Sequence, residues 1–382
     1  MMQITRIRSR VLDFPLDGEF RPAWMRGGVQ TNLLMTMVEV ETDEGVTGFG
    51  AADGGEEIAI AIDRLVAPSF IGRDPTQIEV LTEVLRDASV VGPPVYCMEV
   101  PLWDIIGKLA QLPVFKLWGG HDDRLLAYCA TGELRSPEQR VVDVEAIAGE
   151  GFRAVKLRFH RPDPRDDLAV VEAVRDALGD RLELMVDANQ AGVLPGVGGH
   201  ERWDFQRALD VALELERLDV LWLEEPLGRH DYDGLRRLRE KLGTLALAGG
   251  ECNHGLHEFR LLIENGCYDV LQPDAVISEG IFQLWKVAAL AESAHLQLVP
   301  HTWTNGIGLL ANLHLAAAIP NCGWLEFPHE PGSGWTADAG NQMLAERPWI
   351  DSDGYVRVPD RPGFGFLLDE ERVDHYTVAS YG

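Results

Sequence analysis

One pattern recurs along residues 154–327 and constrains the fold more than any other feature of the chain. A short apolar run ends in one or two polar residues, and a segment with helical periodicity follows. Strands that alternate with helices indicate parallel βαβ units, whose strands are largely apolar because both faces of the sheet are covered. The runs are AVKLRF (154–159), LMVDANQ (184–190), LWLEEP (221–226), ALAGGE (246–251), VLQPDA (270–275), LVPHTW (298–303) and WLEF (324–327).

The polar residues at the ends of these runs are expected to share one face of the molecule. In a closed β/α barrel, the carboxyl ends of the strands converge on the face that carries the active site. Strand alternation puts Lys156 and Arg158 on the inward side of one run. It puts Asp187 and Asn189 on the inward side of the next run. The pattern therefore predicts a TIM-like barrel, (β/α)7β or (β/α)8, with charged and amide side chains at its mouth.

Three carboxylates follow three successive runs. Alternation favours Glu224 over Glu225 as the inward acid, and Glu251 has the parity of Leu247 on its own run. With Asp187, these acids can all point inward. Three carboxylates held close together raise at least one pKa unless a cation lies among them, and a hard divalent ion prefers such oxygen ligands. We therefore predict a divalent-cation site; the alternative is that each acid caps a helix or lies in a solvated loop.

The motifs LMVDANQ, WLEEP, AGGE, QPDA, VPHTW and WLEF, in this order, resemble those of the enolase superfamily, and specifically its mandelate racemase-like branch. The resemblance covers nearly the whole chain, and several motifs in the right order are a stronger signal than one. It implies that the cofactor is Mg²⁺ and that its ligands are Asp187, Glu224 and Glu251.

The resemblance also implies which groups carry the chemistry. Asp274 and His301 would form a base dyad, in which the carboxylate fixes the tautomer of the imidazole and raises its basicity; the alternative is a buried structural histidine. Glu326 would be a partner of the substrate carboxylate. Lys156 and Arg158 lie where the branch usually carries Lys-x-Lys, so this chain departs from the pattern at Arg158.

The N-terminal part of the chain predicts an α+β capping domain. Residues 3–50 contain three strand-like runs, and 56–117 have helical periodicity. The stretch PLWDIIGKLAQLPVFKLWGG resembles the end of the capping domain in the family. The expected division is a capping domain at 1–122, a modified TIM barrel at 123–345, and a segment at 346–382 that packs back on the cap.

Two long loops are expected near the barrel mouth. The loop 14–32 is long for a connection, and long loops are often lids; in the family this region and 50–57 contact the distal end of the substrate. The alternative is a disordered surface loop. A Gly- and Pro-rich insert, 191–203, is expected to hang over the mouth, while His160 and His200 are expected to be solvated loop histidines. The residues assigned to substrate binding are Arg21, Trp24, Arg26, Asn189 and Trp303.

Composition limits the partners. A chain of 382 residues accommodates one barrel of roughly 250 residues and a smaller domain. Its formal net charge of −27 argues against nucleic acid and anionic membranes as partners. The five scattered cysteines favour free thiols in a reducing compartment, and no signal peptide or membrane-spanning run is apparent. We expect a cytoplasmic protein and, because barrels of this kind often assemble as even-numbered rings, a homo-oligomer.

The predicted site favours removal of the α-proton of a carboxylate substrate, with Mg²⁺ and Lys156 stabilising the enediolate. Arg158 is a poor proton shuttle because the pKa of arginine exceeds roughly 12. One-base chemistry by His301, which dehydrates a sugar acid to a 2-keto-3-deoxy acid, is therefore favoured. Lys156 keeps open a racemase, epimerase or cycloisomerase of a 2-hydroxy or sugar acid. Further alternatives are a barrel that binds a metal and a sugar acid without turnover, and a metal-dependent hydrolase or aldolase, against which the acid-only ligand set argues.

Overall fold

The computed structural model describes residues 2–192 and 202–382. The strands are β1 (Ile4–Phe20), β2 (Gln30–Thr42), β3 (Thr47–Asp53), β4 (Arg124–Ala130), β5 (Ala154–Arg158), β6 (Glu183–Asp187), β7 (Val220–Glu224), β8 (Ala246–Gly249), β9 (Val270–Leu271), β10 (Gln297–Leu298), β11 (Leu325–Pro328), β12 (Tyr355–Arg357) and β13 (Thr377–Tyr381). The helices are α1 (Glu56–Ala61), α2 (Ala67–Phe70), α3 (Ile78–Val91), α4 (Glu99–Ala110), α5 (Val114–Leu117), α6 (Pro137–Glu150), α7 (Pro164–Leu178), α8 (Phe205–Arg217), α9 (Tyr232–Arg239), α10 (Gly255–Glu264), α11 (Ile281–Ser293), α12 (Gly306–Ala318) and α13 (Glu370–Tyr376).

An antiparallel sheet with the order β13–β1–β2–β3 forms the N-terminal part of the molecule. Helix α4 packs on β3 so closely that a Cβ on Gly48 would come within 2.0 Å of the carbonyl oxygen of Pro101. The lid loop is shorter than predicted, because β1 continues to Phe20 and Phe14 pairs with Leu33 of β2. The prediction of a loop over 14–32 was therefore wrong at both ends, and the connection spans 21–29.

A curled sheet of parallel strands forms the larger part, with the order β10–β9–β8–β7–β6–β5–β4–β11. Within the described ranges, seven helices, α6 to α12, connect these eight strands in sequence. The predicted TIM-like architecture is confirmed, in its (β/α)7β form. Ser136 caps the start of α6: its hydroxyl accepts a hydrogen bond from the amide of Gln139, and Pro137 occupies the first turn.

Alternation along the barrel strands separates two apolar layers. Val155 and Leu157 belong to the core between strands and helices. The interior of the barrel is filled instead by a small cluster that includes Tyr128, Met185 and Trp222. Because successive side chains point to opposite faces, the residues two positions beyond this interior cluster lie at the carboxyl ends of the strands, where the site is found.

The C-terminal segment contacts both sheets. Strand β12 pairs antiparallel with β4, and β13 pairs with β1 of the antiparallel sheet. The first barrel strand begins at Arg124, next to the predicted boundary at 122/123, which stays a prediction. Most of the insert 191–203, including His200, lies outside the described residues. Among the residues that are described, no helix combines the length and the apolarity that crossing a membrane requires.

Candidate active site

Three carboxylates from successive strands meet at the barrel mouth. Asp187 ends β6, Glu224 ends β7, and Glu251 follows β8 by two residues. An oxygen of each lies within 4.8 Å of an oxygen of the other two. Asp187 and Glu224 are completely buried, whereas Glu251 is partly exposed. The structure thus brings together the three acids predicted as metal ligands.

Glu251 reaches this cluster by a route that strand alternation did not predict. On β8 the side chain that faces the barrel interior is Ala248, whereas Leu247 packs outward against the helices. Alternation with Leu247 would therefore direct Glu251 outward. The predicted position of Glu251 at the mouth agrees with the structure, but the argument from alternation was wrong. Gly250 follows the strand with a φ of +125°, a conformation open to glycine. This turn ends the alternation and directs the carboxylate to the mouth.

The donor set of this cluster fits a hard divalent cation. Burial and then the charge of Glu224 raise the pKa of Asp187, Arg158 and Lys156 oppose the shift, and the resulting pKa is about 8. A cation among the oxygens would favour the ionised carboxylates and so lower this pKa again, and carboxylates are the ligands that Mg²⁺ prefers. A second group, Glu225, Glu251 and Cys252, also brings ligand atoms within 4.8 Å. Its thiol is a softer donor than Mg²⁺ prefers, so the first group fits better.

Lys156 lies beneath the carboxylates and contacts several of them. Its Nζ is 2.9 Å from both carboxylate oxygens of Glu224, 2.7 Å from Oε1 of Glu326, and 3.9 Å from Oδ2 of Asp187. Burial lowers the pKa of Lys156, but Glu224 and Glu326 outweigh burial and raise it above its ordinary value. The side chain is therefore an ammonium ion that faces the barrel mouth.

Arg158 is held on all sides. Its Nε donates to the carbonyl of Thr131 at 2.8 Å, and its Nη1 pairs with Asp187 and donates to Oδ1 of Asn189 at 3.1 Å. The guanidinium carbon lies 4.8 Å from the ring centroid of Trp24 and 5.1 Å from that of Trp303. Burial lowers the pKa of Arg158, but the carboxylates, Asp187 first, raise it above its ordinary value. Arg158 stays charged and cannot accept a proton.

Asp274 and His301 form a hydrogen-bonded pair. Nδ1 of His301 lies 2.9 Å from Oδ2 of Asp274, whose other oxygen accepts from the amide of Val276 and from Nδ2 of Asn312. These contacts place the imidazole proton on Nδ1 and leave Nε2 toward Glu251, at 3.5 Å. Burial lowers the pKa of His301, but Glu251, Glu326 and Asp274 raise it to about 10. A cation bound to Glu251 would oppose that rise.

Glu326 is ionised, and it links the lysine to the segment that carries His301. Its Oε2 accepts from the amide of Thr302 at 2.9 Å, while Oε1 contacts Lys156. Burial raises the pKa of Glu326, but Lys156, His301 and Arg158 lower it to about 2. Sequence reasoning missed two further residues, although their positions offered signals. Gln272 donates to Glu224 at 2.8 Å and precedes Asp274 by two residues. Asn312 is one of two polar residues, with His314, in the largely apolar helix α12.

The predicted substrate-binding residues separate into two groups. Trp24 and Trp303 meet above Arg158, with ring centroids 5.0 Å apart. Asn189 lies below them and donates to Asp187 at 2.9 Å. Arg21 and Arg26 do not join this group; they line a separate cavity between the lid loop and the barrel.

His160 differs from its prediction. It is 8% exposed, and its Nε2 lies 3.0 Å from Oδ1 of Asn189, so the interpretation as a solvated loop histidine was wrong. The lid loop covers the end of β5, and this tertiary contact has no local signal in the sequence.

The lid is fastened to the end of β4. The amide of Arg21 donates to Glu133 and that of Ala23 donates to the carbonyl of Gly132, each at 2.8 Å. Glu330 in turn accepts from the amides of Gly132 and Glu133. A Cβ on Gly132 would come within 2.5 Å of the ring of Phe20, so the close packing of Phe20 on the end of β4 requires a glycine at this position.

Comparison with known proteins identifies the family. Residues 140–372 match the family described as enolase C-terminal domain-like, and residues 17–119 match the mandelate racemase/muconate lactonizing enzyme N-terminal domain. This chain belongs to the mandelate racemase-like branch of the enolase superfamily. The family resemblance predicted from the motifs is thereby confirmed.

Relatives of this enolase-superfamily chain include isomerases and lyases. It is 31% identical to the 3,6-anhydro-alpha-L-galactonate cycloisomerase of Streptomyces coelicolor, over 98% of this chain and 99% of the relative. It is also 31% identical to the L-talarate/galactarate dehydratase of Salmonella typhimurium, over 89% of this chain and 82% of the relative. The crystal structure of L-talarate dehydratase from Polaromonas sp. JS666, complexed with Mg and L-glucarate, superposes with a TM-score of 0.84 at 30% identity, covering 100% and 98% of the two chains.

Proposed function

We propose that this chain is a Mg²⁺-dependent enzyme that removes the α-proton of a carboxylate substrate to form an enediolate, and that it dehydrates a sugar acid to a 2-keto-3-deoxy acid. The observation that carries this proposal is the contact of His301 with Asp274, 2.9 Å long, beside a cluster of three carboxylates. The chain's relatives named as dehydratases of sugar acids support the substrate class.

Asp187, Glu224 and Glu251 would hold the Mg²⁺. Their oxygens are close enough for one ion, and related structures contain magnesium. When bound, the ion supplies Lewis-acid stabilisation of the negative charge that develops on the substrate carboxylate.

Lys156 would neutralise the substrate carboxylate from the barrel side. Glu224 and Glu326 hold its ammonium group between them, at 2.9 and 2.7 Å, so it is positioned before the substrate arrives. Glu326 is ionised, and we propose that it acts by holding Lys156; direct contact with the substrate carboxylate stays a prediction.

His301 would act as the single base. Its Nε2 takes the proton from C2, and the electron pair of that C–H bond passes into the enediolate. The same Nε2–H then protonates the hydroxyl group on C3 as the C3–O bond breaks, so water leaves and the resulting enol becomes the 2-keto acid. Arg158 stays protonated throughout, because it is enclosed by Asp187, Trp24 and Trp303.

The test is incubation with a panel of sugar acids and Mg²⁺, followed by an assay for 2-keto acid. We expect keto acid from at least one substrate, at a rate that His301→Asn lowers about 100- to 10,000-fold. Formation of an isomer without loss of water would instead favour the second candidate, a cycloisomerase, racemase or epimerase, which relatives named as cycloisomerases support. A third outcome would identify a binding protein: the wild type and His301→Asn bind Mg²⁺ and sugar acid with equal affinity, and neither of them converts the sugar acid.

We also propose that the protein is a cytoplasmic homo-oligomer with neither a nucleic acid nor a membrane as its partner. All five cysteines are free thiols, which agrees with a reducing compartment. Analytical ultracentrifugation would decide the oligomeric state.

A further inference from the structure

A second group of ligand atoms lies beside the three carboxylates proposed for Mg²⁺. It consists of Glu225, Glu251 and Cys252, and one ligand atom of each lies within 4.8 Å of the other two. Glu251 belongs to both groups. Its Oε2 lies 3.5 Å from Nε2 of His301, whereas its Oε1 lies 3.8 Å from Sγ of Cys252. The second group is therefore next to the first, with Glu251 shared by both.

Glu225 is the residue that points to a ligand at this group. Its side chain is buried, with the residue 1% exposed, and no described residue forms a hydrogen bond with its Oε1. The adjacent Glu224, in contrast, pairs with Lys156 at 2.9 Å. A buried carboxylate oxygen without a partner costs free energy. A cation held between Glu225, Glu251 and Cys252 would supply the missing partner.

The backbone holds these side chains in place around the end of β8. The amide of Glu225 donates to the carbonyl of Ala248 at 3.0 Å. Beyond the strand, Arg229 donates to the carbonyl of Cys252 at 2.6 Å. Glu251 and Cys252 are each partly exposed, so a cation can reach the group from solvent.

We propose that Glu225, Glu251 and Cys252 bind a thiophilic divalent cation of the Zn²⁺ class beside the Mg²⁺ site. One thiolate and two carboxylates suit Zn²⁺, which takes four ligands and would keep water as the fourth. Cys252 binds as the thiolate, so its proton, with that of a neutral Glu225, passes to the solvent. Because Glu251 serves both sites and two cations repel each other, each cation weakens the binding of the other. The site does not depend on which reaction the chain catalyses.

The experiment uses Co²⁺ and Zn²⁺ as probes of the Mg²⁺-loaded protein. A thiolate bound to Co²⁺ gives a charge-transfer absorption band that carboxylate ligands do not give, so the band reports the second site alone. We expect the band in the wild type and its loss in Cys252→Ser. Calorimetric titration should show Zn²⁺ affinity at least about 10-fold lower in both Cys252→Ser and Glu225→Gln. The matched control is Cys322→Ser, which removes another partly exposed thiol and should change neither measurement.

The outcomes decide whether the second site exists. A wild-type Co²⁺ complex without the thiolate band, or Zn²⁺ affinity that Cys252→Ser does not change, would place the cation at the Mg²⁺ ligands alone and overturn the proposal. Unchanged Zn²⁺ affinity in Glu225→Gln would also overturn it, and this variant carries the test if Cys252→Ser does not fold. Raising the Mg²⁺ concentration should weaken Zn²⁺ binding about 5-fold or more. Independent binding of the two ions would contradict the sharing of Glu251.

Discussion

Two buried histidines in this molecule have opposite surroundings. His301, at the barrel mouth, contacts Asp274 and lies near Glu251, and these carboxylates with Glu326 raise its pKa to about 10 against the effect of burial. His314, in α12, is also fully buried, but burial alone dominates and lowers its pKa to about 3.

The partners of the two rings explain the difference. Nδ1 of His314 accepts from the amide of Phe115, and Nε2 donates to the carbonyl of Phe364. The neutral ring therefore connects α12 of the barrel to α5 and to the C-terminal segment. Burial is common to both residues, and nearby charge decides whether the ring is a base or a structural connector. The comparison predicts that substitution of His301 lowers activity, whereas substitution of His314 lowers stability.

The largest expected effect is on catalysis at the mouth. His301→Asn should lower kcat/KM about 100- to 10,000-fold, because a positioned general base contributes that much. His314→Asn is the matched control, and it should lower the melting temperature while the folded protein keeps its activity at neutral pH. The measurements are keto-acid formation and thermal unfolding monitored by circular dichroism. Activity of His301→Asn within a few-fold of wild type would remove His301 from the mechanism.

The second prediction concerns the acids of the proposed Mg²⁺ site. Glu224→Gln should weaken Mg²⁺ binding by about 100-fold or more, since it removes a charged ligand. Glu225→Gln makes the same substitution at the adjacent residue but should have little effect on Mg²⁺ binding. Burial raises the pKa of Glu225 well above its ordinary value, with Glu251 adding to the shift, and this favours the neutral acid, which glutamine resembles. Isothermal titration calorimetry with Mg²⁺ measures both. An equal loss in the two variants would show that charge, and not ligation, governs the site.

The third prediction uses the pH dependence of His314. Its pKa is about 3 in the folded protein and about 6.5 when unfolded, so the unfolded chain takes up the proton first as the pH falls. The stabilisation is complete above pH 6.5 and is lost progressively down to pH 3. Between pH 7 and pH 5 the wild type should lose about 2 kcal/mol more free energy of unfolding than His314→Asn. Urea unfolding at the two pH values tests this, and parallel pH profiles would contradict the assignment.

The smallest expected effect comes from restoring a second base at the mouth. Arg158→Lys replaces a side chain that cannot release a proton with one that can. We expect the variant to form a minor amount of the substrate's C2 epimer, detected by proton NMR, while dehydration continues. Arg158→Met, which has no base, should form none. Epimer production by the wild type would instead favour the racemase or epimerase alternative.

Much of the barrel mouth could be predicted because strand geometry is local. The two-residue period was enough to direct Lys156, Arg158, Asp187 and Glu224 inward, and the structure brings these side chains together. The same rule failed for Glu251, because a positive φ at Gly250 interrupts the period just beyond β8. Periodicity extends only as far as the regular backbone does.

The lid could be predicted only in part, because its structure depends on distant residues. The loop was placed correctly between two strands, but the pairing of Phe14 with Leu33 lengthened β1 at its expense. Nothing in the local sequence indicated that Trp24 would face Trp303 while Arg21 would turn away to Glu19. The burial of His160 depends on the same contact between lid and barrel.

The meeting of Trp24 and Trp303 sets a rule for exchanging lids between related proteins. Trp303 is two residues beyond His301, and Phe20 packs against both tryptophans. The segment 301–303 therefore carries both the proposed base and the residue that the lid loop contacts. A foreign loop grafted here to alter substrate choice would need to retain Phe20 and Trp24 as anchors, and diversity could be introduced only at the positions around them.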